Sequence, residues 1–193
     1  MPEHRTIKLY NTPMKKVFLL TIMISLLVTG LHAQKIYSTK NGKISFFSNA
    51  PLEDIEAKNN EVESKLAAST GQVVFTLLMK GFQFENQLME EHFNENYVES
   101  NKYPKADFKG YITNIKDINF AKDGTYPAKV KGTLTIHGVS KEINQDGTIT
   151  INGAKANAKT KFNISLKDYN IGGSLIGKKI ADKIAITVDC QYE

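Results

Sequence analysis

The chain has 193 residues, with 25 basic and 20 acidic side chains and a formal net charge of +5. This length is enough for one domain with accessory segments. Residues 1–33 carry four of the basic and one of the acidic residues, so the remainder holds 21 against 19 and is nearly neutral. That balance gives no argument for a nucleic-acid partner. The single cysteine, Cys190, excludes an intramolecular disulfide, so the domain must be held by its core.

An export signal is predicted near the start of the chain. Two lysines follow Met14, and an apolar run over residues 17–28 comes next, which is the composition of a secretory signal peptide. The run is shorter than a transmembrane helix requires, and no membrane span is expected once the signal is cleaved near Ala33. The predicted organisation is therefore an over-extended start at 1–13, a signal peptide at 14–33 and one exported domain at 34–193.

The first part of the exported domain is predicted to contain a hairpin, a loop and a strand. Strand-like segments flank Asn41-Gly42, a common hairpin turn sequence. Residues 49–60 are polar and are predicted to form a loop. Residues 72–84 form the most apolar strand, and Gly81 marks a bulge or bend where the apolar parity changes.

A single amphipathic helix is predicted within residues 86–110. Two polar residues, Glu90 and Asn94, fall off its apolar stripe and are expected to lie in water. From this periodicity alone, a plug that closes a core is favoured over a lid above a ligand cavity. The stripe recurs every fourth residue and consists of Met89, Phe93 and Tyr97.

Apolar and polar residues alternate through most of the chain after Pro104, which is typical of half-buried strands. Residues 140–151 are predicted to form a hairpin through Asp146-Gly147. Cys190 falls on the apolar face of the last strand and is expected to be buried rather than reactive. The other predicted strands are 105–113, 129–136, 161–167 and 183–192, separated by turns at Asp123-Gly124, Gly138 and Asn152-Gly153.

About eight strands at short spacing, each with one apolar face, predict an all-β fold with one helix. An antiparallel barrel or a sandwich fits this pattern. In an eight-stranded barrel the interior either fills with side chains or holds one small ligand. Gly110 and Gly132 have the inward parity, where large residues would fill a core, and this favours a cavity.

Two motifs suggest other chemistry, but both lack essential residues. Residues 172–178 match GxxxxGK, yet Lys179 replaces the Ser or Thr that binds Mg²⁺, and no helix follows. The histidine at 92 lies in EHFNE rather than HExxH, and too few histidines remain after signal cleavage for a typical zinc site. Neither a metal nor a cofactor is predicted. The loose candidates for an enzyme are Glu91, His92 and Asp189, and their spacing indicates no catalytic set.

Several segments resemble the YceI-like family of exported proteins. GTLTIHGVSKEI at 132–143 is similar to a recurrent family stretch, as are NYVESNKYPKADFKG at 96–110, FNISLKDYNI at 162–171 and IADKIAITVDCQYE at 180–193. The resemblance implies an eight-stranded, lipocalin-like antiparallel barrel with a helix over one end. It also implies a periplasmic or secreted protein that binds a polyisoprenoid or similar amphiphilic lipid, and no catalytic residues.

The favoured hypothesis is a carrier or sequestering protein for an isoprenoid or fatty-acid-like lipid, without enzymatic activity. The alternative is a non-enzymatic structural or interaction module with a packed barrel core, and a homodimer is possible in either case. The strand count, the inward glycines and the resemblance together favour a lid over a plug. The predicted ligand-binding residues are Phe75, Leu77, Met79, Met89, Phe93, Tyr97, Phe108, Ile112, Leu134, Ile136, Phe162, Ile164, Ile186 and Val188.

Overall fold

Long strands dominate the described part of the chain, residues 35–50 and 52–193 of a computed structural model. The predicted start at 1–13 and the signal peptide at 14–33 lie outside these residues. None of the helices described there has the length and apolar character needed to cross a bilayer. The elements are β1 (Ile36–Asn49), β2 (Asp54–Ala67), β3 (Gln72–Leu78), β4 (Gln83–Phe84), α1 (Gln87–His92), β5 (Lys105–Ile112), β6 (Gly124–Ile136), β7 (Val139–Asn152), β8 (Lys155–Ser165) and β9 (Lys183–Tyr192).

Eight of these strands close into a barrel. Their order is β1-β9-β8-β7-β6-β5-β3-β2, and β2 pairs with β1 to complete the ring. Neighbouring strands are antiparallel throughout. The two-residue β4 pairs with Ala57 and Lys58 of β2, on the same edge of β2 that pairs with β3 further along the strand. The predicted all-β, lipocalin-like barrel of eight antiparallel strands with one helix is confirmed.

The hairpin predicted at Asn41-Gly42 is wrong, because β1 runs straight through that dipeptide. Its register against β2 shifts on both sides of Gly42, which marks a bulge rather than a turn. A side chain at Gly42 would place its Cβ 2.5 Å from the Cys190 sulfur, so the glycine makes room for that residue. The chain reverses instead between β1 and β2.

The loop predicted over residues 49–60 is also wrong, since β2 begins at Asp54. The segment is polar, yet the amide of Asn59, its one fully buried amide side chain, forms hydrogen bonds with neighbouring backbone groups. Asn59 Nδ2 donates to Leu78 O at 2.9 Å, and Asn59 Oδ1 accepts from Glu61 N at 2.9 Å. A polar residue is tolerated in a strand interior when its hydrogen bonds are complete.

The hairpin predicted at Asp146-Gly147 is a third correction, because β7 is continuous from Val139 to Asn152. Gly147 pairs with Ala128 on one side and Thr160 on the other. A Cβ at this position would lie 2.7 Å from Lys159 O, so the glycine allows a close approach of β8 rather than a turn.

The barrel core divides into two clusters at opposite ends. At the closed end, the ring of Tyr37 lies 5.6 Å from that of Phe120 and 6.5 Å from that of Tyr192. The second cluster surrounds α1 and the segment 166–182, and we call this end the mouth. Phe75, Leu134, Phe162 and Ile186 contact both clusters and occupy the middle of the barrel.

Cys190 is fully buried in the closed-end cluster, as the strand periodicity predicts. Burial raises the pKa of its thiol to about 12, so the reactive thiolate is scarce at neutral pH. We therefore expect the folded protein to resist maleimide labelling at pH 7.5 and to take up one equivalent in guanidinium chloride. Mass spectrometry checks the stoichiometry, with Cys190→Ala as the unlabelled control. Labelling of the folded protein as fast as the unfolded chain would contradict this burial.

Candidate ligand cavity

A cavity of about 540 Å³ lies inside the barrel between the closed end and the mouth. Residues from all nine strands and from α1 line it, and most of these side chains are apolar. Its volume falls in the range of about 300–1,000 Å³ that is typical of small-molecule sites. The barrel interior is therefore not a completely packed core.

All fourteen residues that the sequence predicts to bind a ligand line this cavity. The wall residues among them come from β3, β5, β6, β8 and β9, where alternation along the strand is clean. Met79 follows β3 in a short 3₁₀ turn. Their location is established, and their role in binding a ligand remains a prediction.

Sequence reasoning missed the part of the wall formed by β1, β2 and the segment 166–182. The sequence pattern predicts a hairpin in place of β1 and a loop over the first part of β2, and it identifies none of their inward residues as ligand contacts. The alternation of Ile44, Phe46 and Ser48 is the signal that could have revealed them. The missed apolar lining residues on these segments are Ile44, Phe46, Ile55, Leu66, Leu166, Ile171, Leu175 and Ile180.

The two inward glycines do not enlarge the cavity directly, contrary to the expectation from the sequence. Gly110 and Gly132 are paired across β5 and β6, and the Phe108 ring covers both. A Cβ at Gly110 would lie 2.6 Å from Phe108 Cζ, and one at Gly132 would lie 2.8 Å from the same atom. The glycines therefore accommodate the aromatic ring, and it is that ring which faces the cavity.

The predicted helix lies at the mouth and is shorter than its sequence pattern suggests. Asn86 caps α1 by accepting a hydrogen bond from Leu88 N at 2.9 Å. One π-helical turn, Phe93–Tyr97, continues the chain after α1. The whole predicted stripe, Met89, Phe93 and Tyr97, lines the cavity.

Four phenylalanines form a cluster where the helix meets the barrel. The Phe93 ring lies 5.5 Å from Phe46, 5.1 Å from Phe84 and 5.7 Å from Phe82, measured between ring centroids. Phe93 and Phe84 are only half-buried, and all four rings line the cavity. Aromatic rings at these separations attract one another, so the cluster holds the helix against β1 and β4.

The prediction that Glu90 and Asn94 lie in water is wrong, because both are half-buried. Glu90 Oε2 accepts from Phe84 N at 3.2 Å, and Asn94 Nδ2 donates to Glu90 O at 2.9 Å. Asn94 Oδ1 is buried without a hydrogen-bond partner among the described residues. The polar side of α1 contacts β4 through Glu90. A helical wheel considers the helix in isolation and does not show this contact.

His137 connects three segments beside the mouth. It occupies the tip of the β6–β7 hairpin with a φ of 52°. Its Nε2 lies 2.7 Å from Glu99 Oε2, and its Nδ1 lies 3.1 Å from Tyr169 O. A carbonyl and a carboxylate only accept, so both bonds form together when both ring nitrogens carry a proton. The Tyr103 ring packs edge-on at 4.4 Å and completes this connection.

Few titratable groups reach the cavity. Tyr192 lies at the closed end, where burial raises its pKa and its hydroxyl lies 2.8 Å from Ser64 Oγ. The Lys159 ammonium is 3.0 Å from Asp189 and is thus already paired. The other titratable lining residues are Glu53, His92, Tyr97, Asp107 and Lys179.

The three loose enzyme candidates do not meet in the cavity. Of the three, only His92 lines the cavity, and its side chain is exposed at the mouth. Glu91 is also exposed but does not line the cavity. Asp189 lies outside the lining, where Asn157 Nδ2 donates to it at 2.7 Å. Burial alone would raise its pKa, but the bonds from Asn157 and Lys159 and the charges of Lys159 and Lys43 outweigh that effect and lower it. The carboxylate is therefore in a structural ion pair.

Comparison with known proteins gives one family and several solved structures. The family model of the YceI-like domain matches residues 28–192. A polyisoprenoid-binding domain from Saccharophagus degradans superimposes with a TM-score of 0.72 at 12% identity, covering 83% of this chain and 98% of that one. A search of curated proteins found no match.

Two further structures share this barrel. BcnA from Burkholderia cenocepacia superimposes with a TM-score of 0.66 at 20% identity, covering 79% of this chain and 96% of that one. The YceI protein of Campylobacter jejuni gives 0.57 at 20% identity, covering 75% and 88%. At these identities the similarity establishes a common fold.

Proposed function

The chain belongs to the YceI-like domain family, and from this premise we propose that it binds an amphiphilic lipid in its barrel cavity. The ligand class is a polyisoprenoid or a similar fatty-acid-like chain. The protein acts as a carrier or sequestering protein and not as an enzyme. It is exported by the predicted signal peptide and works in the periplasm or outside the cell.

The observation that carries this proposal is the size of the apolar cavity. Mostly apolar side chains surround about 540 Å³ of space that the protein itself leaves unfilled. Water is a poor filler because an apolar wall offers it few hydrogen-bond partners. An apolar ligand fits better, since each CH₂ removed from water contributes about 0.8 kcal/mol before ordering costs are subtracted.

The relatives support the ligand class. The Saccharophagus degradans domain that shares this fold is described as polyisoprenoid-binding. The cavity of the present chain has apolar side chains from every strand and a lid-like helix at one end. Both features suit a long hydrocarbon chain better than a compact polar molecule.

The competing candidate, a structural or interaction module, depends on a packed barrel core. The cavity argues against that requirement. A homodimer is compatible with either function, and analytical ultracentrifugation of the purified protein would test it.

Native mass spectrometry tests the lipid-binding proposal. We expect gently purified protein to carry an added lipid mass, and delipidated protein to take up one equivalent of offered geranylgeraniol. The recovered lipid should keep its mass after prolonged incubation, because no conversion is proposed. A strictly ligand-free mass together with no uptake would refute lipid binding, and a changed lipid mass would instead indicate an enzyme.

A further inference from the structure

The barrel wall is incomplete between β7 and β8. The two strands pair only from Gly147 opposite Thr160 to Asn152 opposite Lys155. Over the rest of their length in the described chain, β7 pairs only with β6, and β8 pairs only with β9. The strand edges at 139–146 and 161–165 therefore face each other without a hydrogen-bond ladder, and we call this gap the side window.

Both ends of the side window are fixed by hydrogen bonds. At one end Thr160 Oγ1 donates to Asp146 O at 2.7 Å, just beyond the last strand pair. At the other end His137 Nδ1 lies 3.1 Å from Tyr169 O and joins the β6–β7 hairpin to the turn after β8. The seven strand residues 139–145 between these bonds span roughly 24 Å at about 3.4 Å each.

The cavity reaches the wall at this window. Its lining includes Gln145, Gly147 and Thr160, together with the paired residues Thr148 and Lys159. Since side chains alternate along a strand and Ile149 faces the core, Thr148 has the outward parity. Gly147 contributes no side chain to the inner face. The cavity thus extends through the wall where the ladder ends.

The window has an apolar inner side and a polar outer side. Ile143 and Phe162 flank it on the inner face and are only half-buried, although they lie midway along the barrel. The outward residues at the two free edges include Asp146 on β7 and Lys161 on β8. Polar and charged residues of this kind protect a free strand edge from pairing with another chain. The edges are therefore suited to remaining open.

We propose that the side window is a second opening of the cavity, through which the apolar chain of the ligand passes. This inference rests on the proposed lipid-binding function and adds a route to it. Gln145 lies at the threshold, on the inward parity and in the cavity lining, opposite Phe162 if the strand register is extended past Thr160. Its amide makes no hydrogen bond to another described side chain, so a larger residue there can narrow the opening without removing a side-chain hydrogen bond.

Stopped-flow fluorescence with cis-parinaric acid tests this route in the full exported domain. We expect Gln145→Trp to lower both the association and the dissociation rate constant by about tenfold, with Kd changed by less than about threefold, because narrowing a passage slows both directions equally. Asn144→Trp is the matched control, since Asn144 is exposed on the outward parity of β7 and lies outside the cavity lining, and it should leave both rates within about twofold. Leu88→Trp at the mouth is the comparison variant, and passage through the side window predicts that it slows both rates less than Gln145→Trp does. Thermal unfolding checks that each variant is folded. If Gln145→Trp does not fold, Gln145→Phe is measured in its place.

Three outcomes would overturn the side window. One is unchanged rates in the Gln145 variants with slower rates in Leu88→Trp, which assigns passage to the mouth. Another is a slower association with an unchanged dissociation rate, which shows that the new side chain competes for cavity volume. The third is a wild-type protein that takes up no probe, and only this result also counts against the proposed function.

Discussion

Replacing Phe93 with Asp is expected to weaken lipid retention by about tenfold or more, while the barrel remains folded. Burying a polar group in an apolar site without a partner costs about 1–3 kcal/mol. Phe93 faces the cavity within the four-phenylalanine cluster but is itself half-buried, and α1 contributes no fully buried residue. The penalty should therefore fall mainly on the ligand-bound state. Native mass spectrometry of the retained lipid and chemical unfolding of the same preparation measure the two effects.

Two control variants separate charge from position at the lid. Phe93→Leu keeps an apolar side chain and should retain most of the lipid. Asn96→Asp adds the same charge to an exposed position on the same turn and should leave retention unchanged. If Phe93→Asp lowers the free energy of unfolding and the lipid retention in parallel, the helix is a plug that completes the core and not a lid.

Replacing Phe108 with Ala is expected to give the opposite pattern, with a large loss of stability and only a small loss of lipid binding. Phe108 is buried, contacts the closed-end cluster and covers the Gly110–Gly132 pair. The two glycines offer no side chain that could move into the space, so the loss should be about 3 kcal/mol. For a domain of this size that corresponds to a fall in Tm of about 6–12 °C. Calorimetry measures the fall, and the lipid assay shows whether the enlarged cavity still binds.

Phe108→Leu is the matched variant, because it keeps a large apolar side chain and should lose less stability than Phe108→Ala. An unchanged Tm in Phe108→Ala would contradict the described packing of the ring over the glycines. A selective loss of lipid with full stability would show instead that Phe108 is chiefly a ligand contact.

Local sequence patterns predicted the strands that alternate cleanly, and these strands contribute most of the predicted lining. In β5 and β9 the apolar residues other than Tyr111 and Ala185 share the inward parity, so parity gives the correct wall. The recurrence of apolar residues at every fourth position also identified the stripe on the helix. Such patterns succeed because the barrel interior is apolar along the whole length of each strand.

The errors occurred where long-range pairing overrides local preference. Asn41-Gly42 and Asp146-Gly147 are common turn sequences, yet each lies within a 14-residue strand. At Gly42 the side chain of Cys190 occupies the space, and at Gly147 the backbone of β8 does. A glycine required for close approach and a glycine required for a turn look the same in a sequence, and only the neighbouring strands distinguish them.

The closure of the ring also determines when the cavity can exist during folding. Ile44 pairs with Val188, so the contact joins positions 144 residues apart along the chain. Contacts between such distant positions form late, because the chain entropy of closing the loop must be overcome first. Ile44, Ile186 and Val188 all line the cavity, so its wall stays open until β9 has docked against β1. A lipid offered before this step meets an open sheet, and loading should begin only after the last strand has been added.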